Sequence, residues 1–247
     1  MQERSALERA IAMVEDLRER CSWDRVQTRE TLRPYLLEEV HELDQAIADG
    51  DSAAIRREVG DLLLHLAWQL VLGMEAGEFT PEEVATELET KMRRRHPHLF
   101  ELGPREQWEV LKRREGRAGL LDGLPSRLPE LLMAQRLGER AAAVGFDWPS
   151  FEGPAAKVRE ELAEVEAAVG GDPAAVEREI GDLLFAVVNL ARKLAVAPSS
   201  ALGRANQRFR ARFEDLEQLA RRRGIAIETA GLDTLERLWQ EVKATGA

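Results

Sequence analysis

The sequence predicts an all-α protein built from a duplicated helical-bundle domain. Three observations carry that expectation. Ala, Leu, Glu and Arg dominate, aromatic residues make up only 5% of the chain, and β-branched residues rarely alternate with polar ones, so the two-residue period of a half-buried strand is missing. Apolar side chains recur three and four apart instead, as in Leu7 to Leu17 and Phe209 to Leu219, which is the period of one helix face. The chain also repeats itself at a spacing of about 120 residues, too long for a solenoid and right for a doubled domain.

Taken in order, the first periodic window, Leu7 to Leu17, is a helix, and Trp23-Asp24 follows in a loop. A second helix carries Leu37-Glu38-Glu39-Val40-His41-Glu42 and ends at the Gly50-Asp51 turn. A third carries Arg57-Glu58-Val59-Gly60-Asp61-Leu62-Leu63 and runs on through an apolar stretch to Met74. Thr80-Pro81-Glu82-Glu83 reads as an N-cap with proline at the first helical position, and that helix reaches the basic run Lys91 to Arg95 before His96-Pro97. Gly119, Gly123, Pro125 and Pro129 cluster where a boundary is expected, which divides the chain into residues 1–116 and 117–247. The second half then answers the first. Asp147-Trp148 matches Trp23-Asp24, Arg159-Glu160-Glu161-Leu162-Ala163-Glu164 matches residues 37–42, and Gly170-Gly171-Asp172-Pro173 matches the first turn. Arg178-Glu179-Ile180-Gly181-Asp182-Leu183-Leu184 matches residues 57–63, and Arg208 to Arg212 matches Lys91 to Arg95. Eight to ten helices are expected in all.

Composition removes several classes of function. The single cysteine, Cys21, excludes a disulfide framework and a Cys-rich zinc or iron–sulfur site, and is read as inert. A formal net charge of −10 argues against nucleic acid or a membrane surface as partner. The short runs Arg93 to Arg95 and Arg221 to Arg223 are read as solvated helix faces. The most apolar stretch, Leu62 to Met74, is broken by His65 and Gln69 and falls short of the ~18 apolar residues a membrane span needs. Met1 to Arg20 carries charges every few residues and is not a signal peptide, so a soluble cytoplasmic protein is expected.

The chemistry lies in two short acidic motifs, each present twice. One is Glu-Glu-x-x-Glu at Glu38, Glu39, Glu42 and again at Glu160, Glu161, Glu164; the other is Glu-x-x-Asp at Glu58, Asp61 and again at Glu179, Asp182. Residues three apart share a helix face, and a short turn makes the two carrier helices antiparallel neighbours, so four carboxylates can converge in each half. Solvated acidic faces are the plain alternative. Against it stand the largely apolar continuation of the second helix, at Leu62 to Leu64 and at Leu183 to Val188, which predicts burial. Gly60 and Gly181 also stand inside these helices, where glycine costs about 1 kcal/mol relative to alanine, so a close backbone or ligand approach is expected there. Two carboxylates ~5 Å apart repel by about 3 kcal/mol at an effective dielectric near 20. A hard divalent cation, Mg²⁺ or Mn²⁺, relieves this and suits an all-oxygen ligand set, which points to metal-assisted attack on phosphorus. A di-iron carboxylate bundle needs paired Glu-x-x-His motifs; Glu38-x-x-His41 supplies one, but Ala163 stands at the matching place in the second half. His65 is read as a packed histidine, and His96 and His98 as belonging to a loop or helix end.

With these residues in view, the sequence resembles the MazG family of nucleoside triphosphate pyrophosphohydrolases in its two-domain form. Besides the doubled acidic motifs, the likeness rests on Cys21-Ser22-Trp23-Asp24, Leu32 to Glu39, Arg94-Arg95-His96-Pro97-His98, Val144-Gly145-Phe146-Asp147-Trp148-Pro149 and Ala205-Asn206-x-x-Phe209-x-x-Arg212-Phe213. The resemblance implies an all-α bundle that forms a homodimer and hydrolyses NTP or dNTP to the monophosphate and pyrophosphate. It implies metal ligation by Glu161, Glu164, Glu179 and Asp182, and in the first half by Glu39, Glu42, Glu58 and Asp61. Glu160 and Glu38 are candidates to orient or deprotonate the water. Lys157, Arg178, Arg208 and Arg212 are candidates to bind the triphosphate, although the family often has lysine where Arg208 stands, and Arg is a planar fork where Lys is a point charge. Trp239 matches a family tryptophan that lies against the nucleotide; packing between helices is the alternative. The resemblance favours the C-terminal half as the catalyst. Asn189, seven residues after Asp182, is available there for a substrate or metal water, whereas Trp68 stands at the matching place in the first half, to fill the space or stack on a base. A non-catalytic protein that binds metal or nucleotide for regulation is the other class left open.

Overall fold

The computed structural model describes residues 5–100, 103 and 119–244. Among them are nine α-helices and no strand. The chain divides into two compact units, Met1–Arg105 and Glu106–Ala247. The boundary expected between residues 116 and 117 lies outside the described residues.

In the first unit α1 (Ala6–Arg20) opens on a capping box, in which the Ser5 hydroxyl accepts from the Glu8 N–H and the Glu8 carboxylate accepts from the Ser5 N–H. A 3-10 turn at Asp24–Val26 follows. Helix α2 (Arg29–Asp49) begins at Thr28 and ends at Gly50, whose φ of +69° is the left-handed conformation that glycine adopts at a helix end. Asp51 then caps α3 (Ser52–Glu75) by accepting from the Ala53 and Ala54 N–H groups. So short a connection folds α3 back against α2, and α1 packs on α3 as well. Thr80, Pro81 and Glu83 form the expected start of α4 (Pro81–Arg95). The core of this unit is Val14, Leu32, Ala67, Trp68 and Val71.

The second unit contains α5 (Glu130–Ala142), α6 (Glu152–Ala168), α7 (Pro173–Lys193), α8 (Pro198–Arg222) and α9 (Leu232–Ala244). Asp172 caps α7 with Pro173 in its first turn, and α6 and α7 pack as the counterpart of α2 and α3. Helix α5 packs on α7, and α9 packs on α8 around Leu216, Ala220, Leu238 and Val242.

One expectation needs correction. The apolar continuations of α3 and α7 are not buried all round. Helix α7 buries Ala186 and Val188 but leaves Leu184, Phe185 and Val187 exposed, and α3 leaves Val59 and Leu66 exposed. Neighbouring helices cover one side of each, and among the described residues nothing covers the far side. Among the described residues no helix is long and apolar enough to cross a membrane.

Candidate functional site

Each antiparallel pair gathers carboxylates at mid-length. Between α2 and α3, Glu39, Glu58 and Asp61 each bring an oxygen within 4.8 Å of the others; between α6 and α7, Glu161, Glu164 and Glu179 do the same. Three of the four expected acids therefore converge in each half. Glu42 and Asp182, both exposed, lie outside these triplets, as mutual repulsion favours for acids free to turn toward water.

The electrostatics of the two clusters differ. Glu39 is held above the ordinary carboxylate range by its partial burial and by the charges of Asp61, Glu42, Glu58 and Glu38. Arg57 Nε stands 4.0 Å from Glu58. In the second cluster Glu161 is only 4% exposed. Lys157, one turn earlier on α6, donates to Glu160 at 2.7 Å and to Glu161 at 2.5 Å, and these carboxylates raise the lysine's pKa. Glu164 is pushed up by the Glu161 carboxyl, with which it can share a proton, and by that group's charge.

The donor set fits a hard cation. Glu161 Oε1 faces Lys157, but Oε2 is buried with no hydrogen-bond donor among the described residues. A buried carboxylate oxygen left without a partner is costly, and a divalent ion among three carboxylates is the kind of partner that satisfies it.

The other predicted residues are placed as follows. Arg178 and Arg208 are exposed, and Arg212 is half-buried one turn after Arg208 on α8. Trp239, on α9, packs 5.3 Å from the Phe209 ring and borders the core of its unit. Asn189 accepts from Arg192 Nε at 2.8 Å and lies beneath Gly138 of α5, where an added Cβ would stand 3.1 Å from Arg192 Nε and 3.4 Å from Asn189 Oδ1. Trp68 fills the core of the first unit, with the Arg18 guanidinium 5.5 Å over its ring. His65 is buried, its pKa lowered by burial against the charge of Asp61. His96 caps the end of α4, His98 lies in the 3-10 turn Pro97–Leu99 that follows, and half-buried Cys21 caps α1. At Gly60 and Gly181 a Cβ would meet nothing within 4 Å. Among the described residues the expected close backbone approach is therefore absent, and open space faces both glycines.

Sequence reasoning missed the clamp behind the second site. Asp147, in the loop before α6, accepts from Arg192 at 2.6 Å and from Lys193 at 3.0 Å, both at the end of α7, and Lys193 also donates to the Trp148 carbonyl. The Arg192 hydrogen bond is the main cause of a pKa lowered to about 2. Asp147 and Arg192 stand 45 residues apart, and no helical period relates them. Buried Arg140 is a second omission; it donates to the Leu120 and Asp122 carbonyls and ties the segment before α5 to that helix.

The MazG nucleotide pyrophosphohydrolase domain matches residues 27–100, from the start of α2 to just past α4. The chain is 40% identical to the nucleoside triphosphate pyrophosphohydrolase/pyrophosphatase MazG of Thermotoga maritima, over 96% of this chain and 95% of that protein. It is 38% identical to the nucleoside triphosphate pyrophosphohydrolase of Escherichia coli K12, over 96% of this chain and 97% of that protein. A nucleoside triphosphate pyrophosphohydrolase of Mycobacterium tuberculosis is 31% identical over 66% of this chain and 51% of its own length. Near end-to-end likeness to two such proteins, with a helical fold and paired carboxylate clusters to match, makes this chain a member of the MazG nucleotide pyrophosphohydrolase family.

Proposed function

We propose that this protein hydrolyses nucleoside triphosphates, NTP or dNTP, to the monophosphate and pyrophosphate, using Mg²⁺ or, in its place, Mn²⁺. The observation that carries this is the carboxylate triplet Glu161, Glu164 and Glu179 with its buried, unpartnered Glu161 oxygen, in a chain whose full-length relatives bear that activity in their names. Residues 1–116 and 117–247 form two MazG-like domains, the second of them catalytic. Glu161, Glu164, Glu179 and Asp182 would hold the cation there; Glu39, Glu42, Glu58 and Asp61 are the matching set in the first half. Bound in this set, the ion supplies Lewis-acid stabilisation of charge on the phosphate oxygens.

The chain's own residues do the rest. Lys157, Arg178, Arg208 and Arg212 offset the charge of the triphosphate, and Trp239 with Phe209 offers an aromatic face. Asn189 is a further polar contact, held in place by Arg192. A water oxygen bonds to the α-phosphorus as the bond to the bridging oxygen breaks and pyrophosphate leaves; Glu160 orients that water and accepts its proton. The exposed apolar side chains of α7 and α3 are covered in a homodimer. The protein acts in the cytoplasm, on free nucleotides and not on nucleic acid or membrane, in pool cleansing or control of nucleotide levels. Incubation with dNTP and Mg²⁺ is expected to release pyrophosphate. Orthophosphate as the first product overturns the proposal, and tight nucleotide binding without any product favours a regulatory binding protein.

A further inference from the structure

Lys157 sits in a place that helix stability does not explain. It pairs forward with Glu160 and Glu161, the weaker order for a lysine–glutamate pair on a helix. Its Nζ reaches one oxygen of a carboxylate that is 4% exposed, while the other oxygen of that carboxylate stays buried and unpartnered. The lysine itself keeps more than a third of its side chain in solvent. The first half provides an internal contrast. Tyr35 stands at the matching position, four residues before Glu39, and packs edge-on against Trp23.

We infer that Lys157 is the resident counter-cation of the Glu161 cluster, displaced when the divalent ion and the triphosphate arrive together. This rests on the proposed function. Without polyphosphate, the ammonium group competes with a divalent ion for Glu161. A triphosphate gives the ammonium another anion to bind, which frees Glu161 for the metal. Metal and substrate therefore bind with positive coupling through one side chain, and coupling of this kind is reciprocal. The cluster accepts the ion as part of a metal–nucleotide complex and holds free cation weakly.

The test is a Mn²⁺ titration followed by electron paramagnetic resonance, on the full-length chain, with and without a triphosphate carrying a methylene between the α- and β-phosphorus. In the wild type the analogue is expected to tighten Mn²⁺ binding at this cluster. In Lys157→Met the affinity for Mn²⁺ alone is expected to rise at least about tenfold, because a neighbouring positive charge is gone, while affinity for the analogue falls and the coupling shrinks. Lys157→Arg is expected to keep the wild-type pattern, and adding Glu179→Gln to Lys157→Met is expected to remove the gained affinity. If Lys157→Met does not fold, judged by circular dichroism, Lys157→Gln carries the same readouts. Mn²⁺ affinity equal to or below that of the wild type in the folded variant overturns the inference. Pyrophosphate release by the wild type is scored separately, so the inference can fail while the proposed function stands.

Discussion

Glu164 and Asp147 show two opposite uses of a carboxylate. Glu164 is pushed above its ordinary value of 4.5 by the Glu161 carboxyl. A raised carboxyl favours the folded state below its unfolded pKa, and that contribution is lost as pH rises through the folded pKa. Metal-free wild type at neutral pH therefore carries a repulsion that Glu164→Gln removes. Thermal melts in EDTA are expected to show the variant melting higher at pH 7.5, with the gap closing toward pH 4.5; replacing EDTA by Mn²⁺ together with a non-hydrolysable triphosphate should reverse the order. Asp147 lies the other way, held at about 2 against an ordinary 3.8, chiefly by its hydrogen bond from Arg192. Its contribution is present above 3.8 and is lost as pH falls toward 2. Urea unfolding at pH 7 is expected to show Asp147→Asn destabilised by about 1–2 kcal/mol, a difference that narrows below pH 4. The acids were legible in the sequence because their spacing repeats. The Asp147 clamp was not, because it joins residues 45 apart that no helical period relates.

At the level of elements, caps and turns were the most legible features. Thr80-Pro81, Gly50-Asp51 and Asp172-Pro173 each stop or start a helix where local chemistry requires it. Burial was less legible. The runs Leu62 to Leu64 and Leu183 to Val188 announce apolar helices, but periodicity does not say how many sides a neighbour covers, and Leu184, Phe185 and Val187 face outward in the single chain. Gly181 belongs to this scale too. A Cβ there meets nothing within 4 Å, so Gly181→Ala is expected to stabilise α7 by about 1 kcal/mol through helix propensity, read from denaturant unfolding. Turnover is expected to fall, as the ligand approach expected at this glycine from the sequence implies. A stabilised variant with unchanged turnover would contradict that use of the glycine.

Across the whole molecule, the internal duplication was the decisive signal. It identified two helix pairs by the acids they share, and α2–α3 and α6–α7 do bring those acids together. It also exposed the asymmetry, since Trp68 and Tyr35 stand where the second half has Asn189 and Lys157. In the first half those places are taken by a core tryptophan and an aromatic pair, so no lysine stands four residues before Glu39. Catalysis is accordingly expected from one half. The most direct measurement is pyrophosphate release from a dNTP with Mg²⁺ by two matched full-length variants, each confirmed as folded. Glu179→Ala is expected to lose at least about a hundredfold in kcat/KM, on the scale of removing a transition-state partner, while Glu58→Ala keeps most of the wild-type rate. Full activity in Glu179→Ala with loss in Glu58→Ala would contradict the assignment of catalysis to the second cluster, and full activity in both would remove the carboxylate clusters from the chemistry altogether.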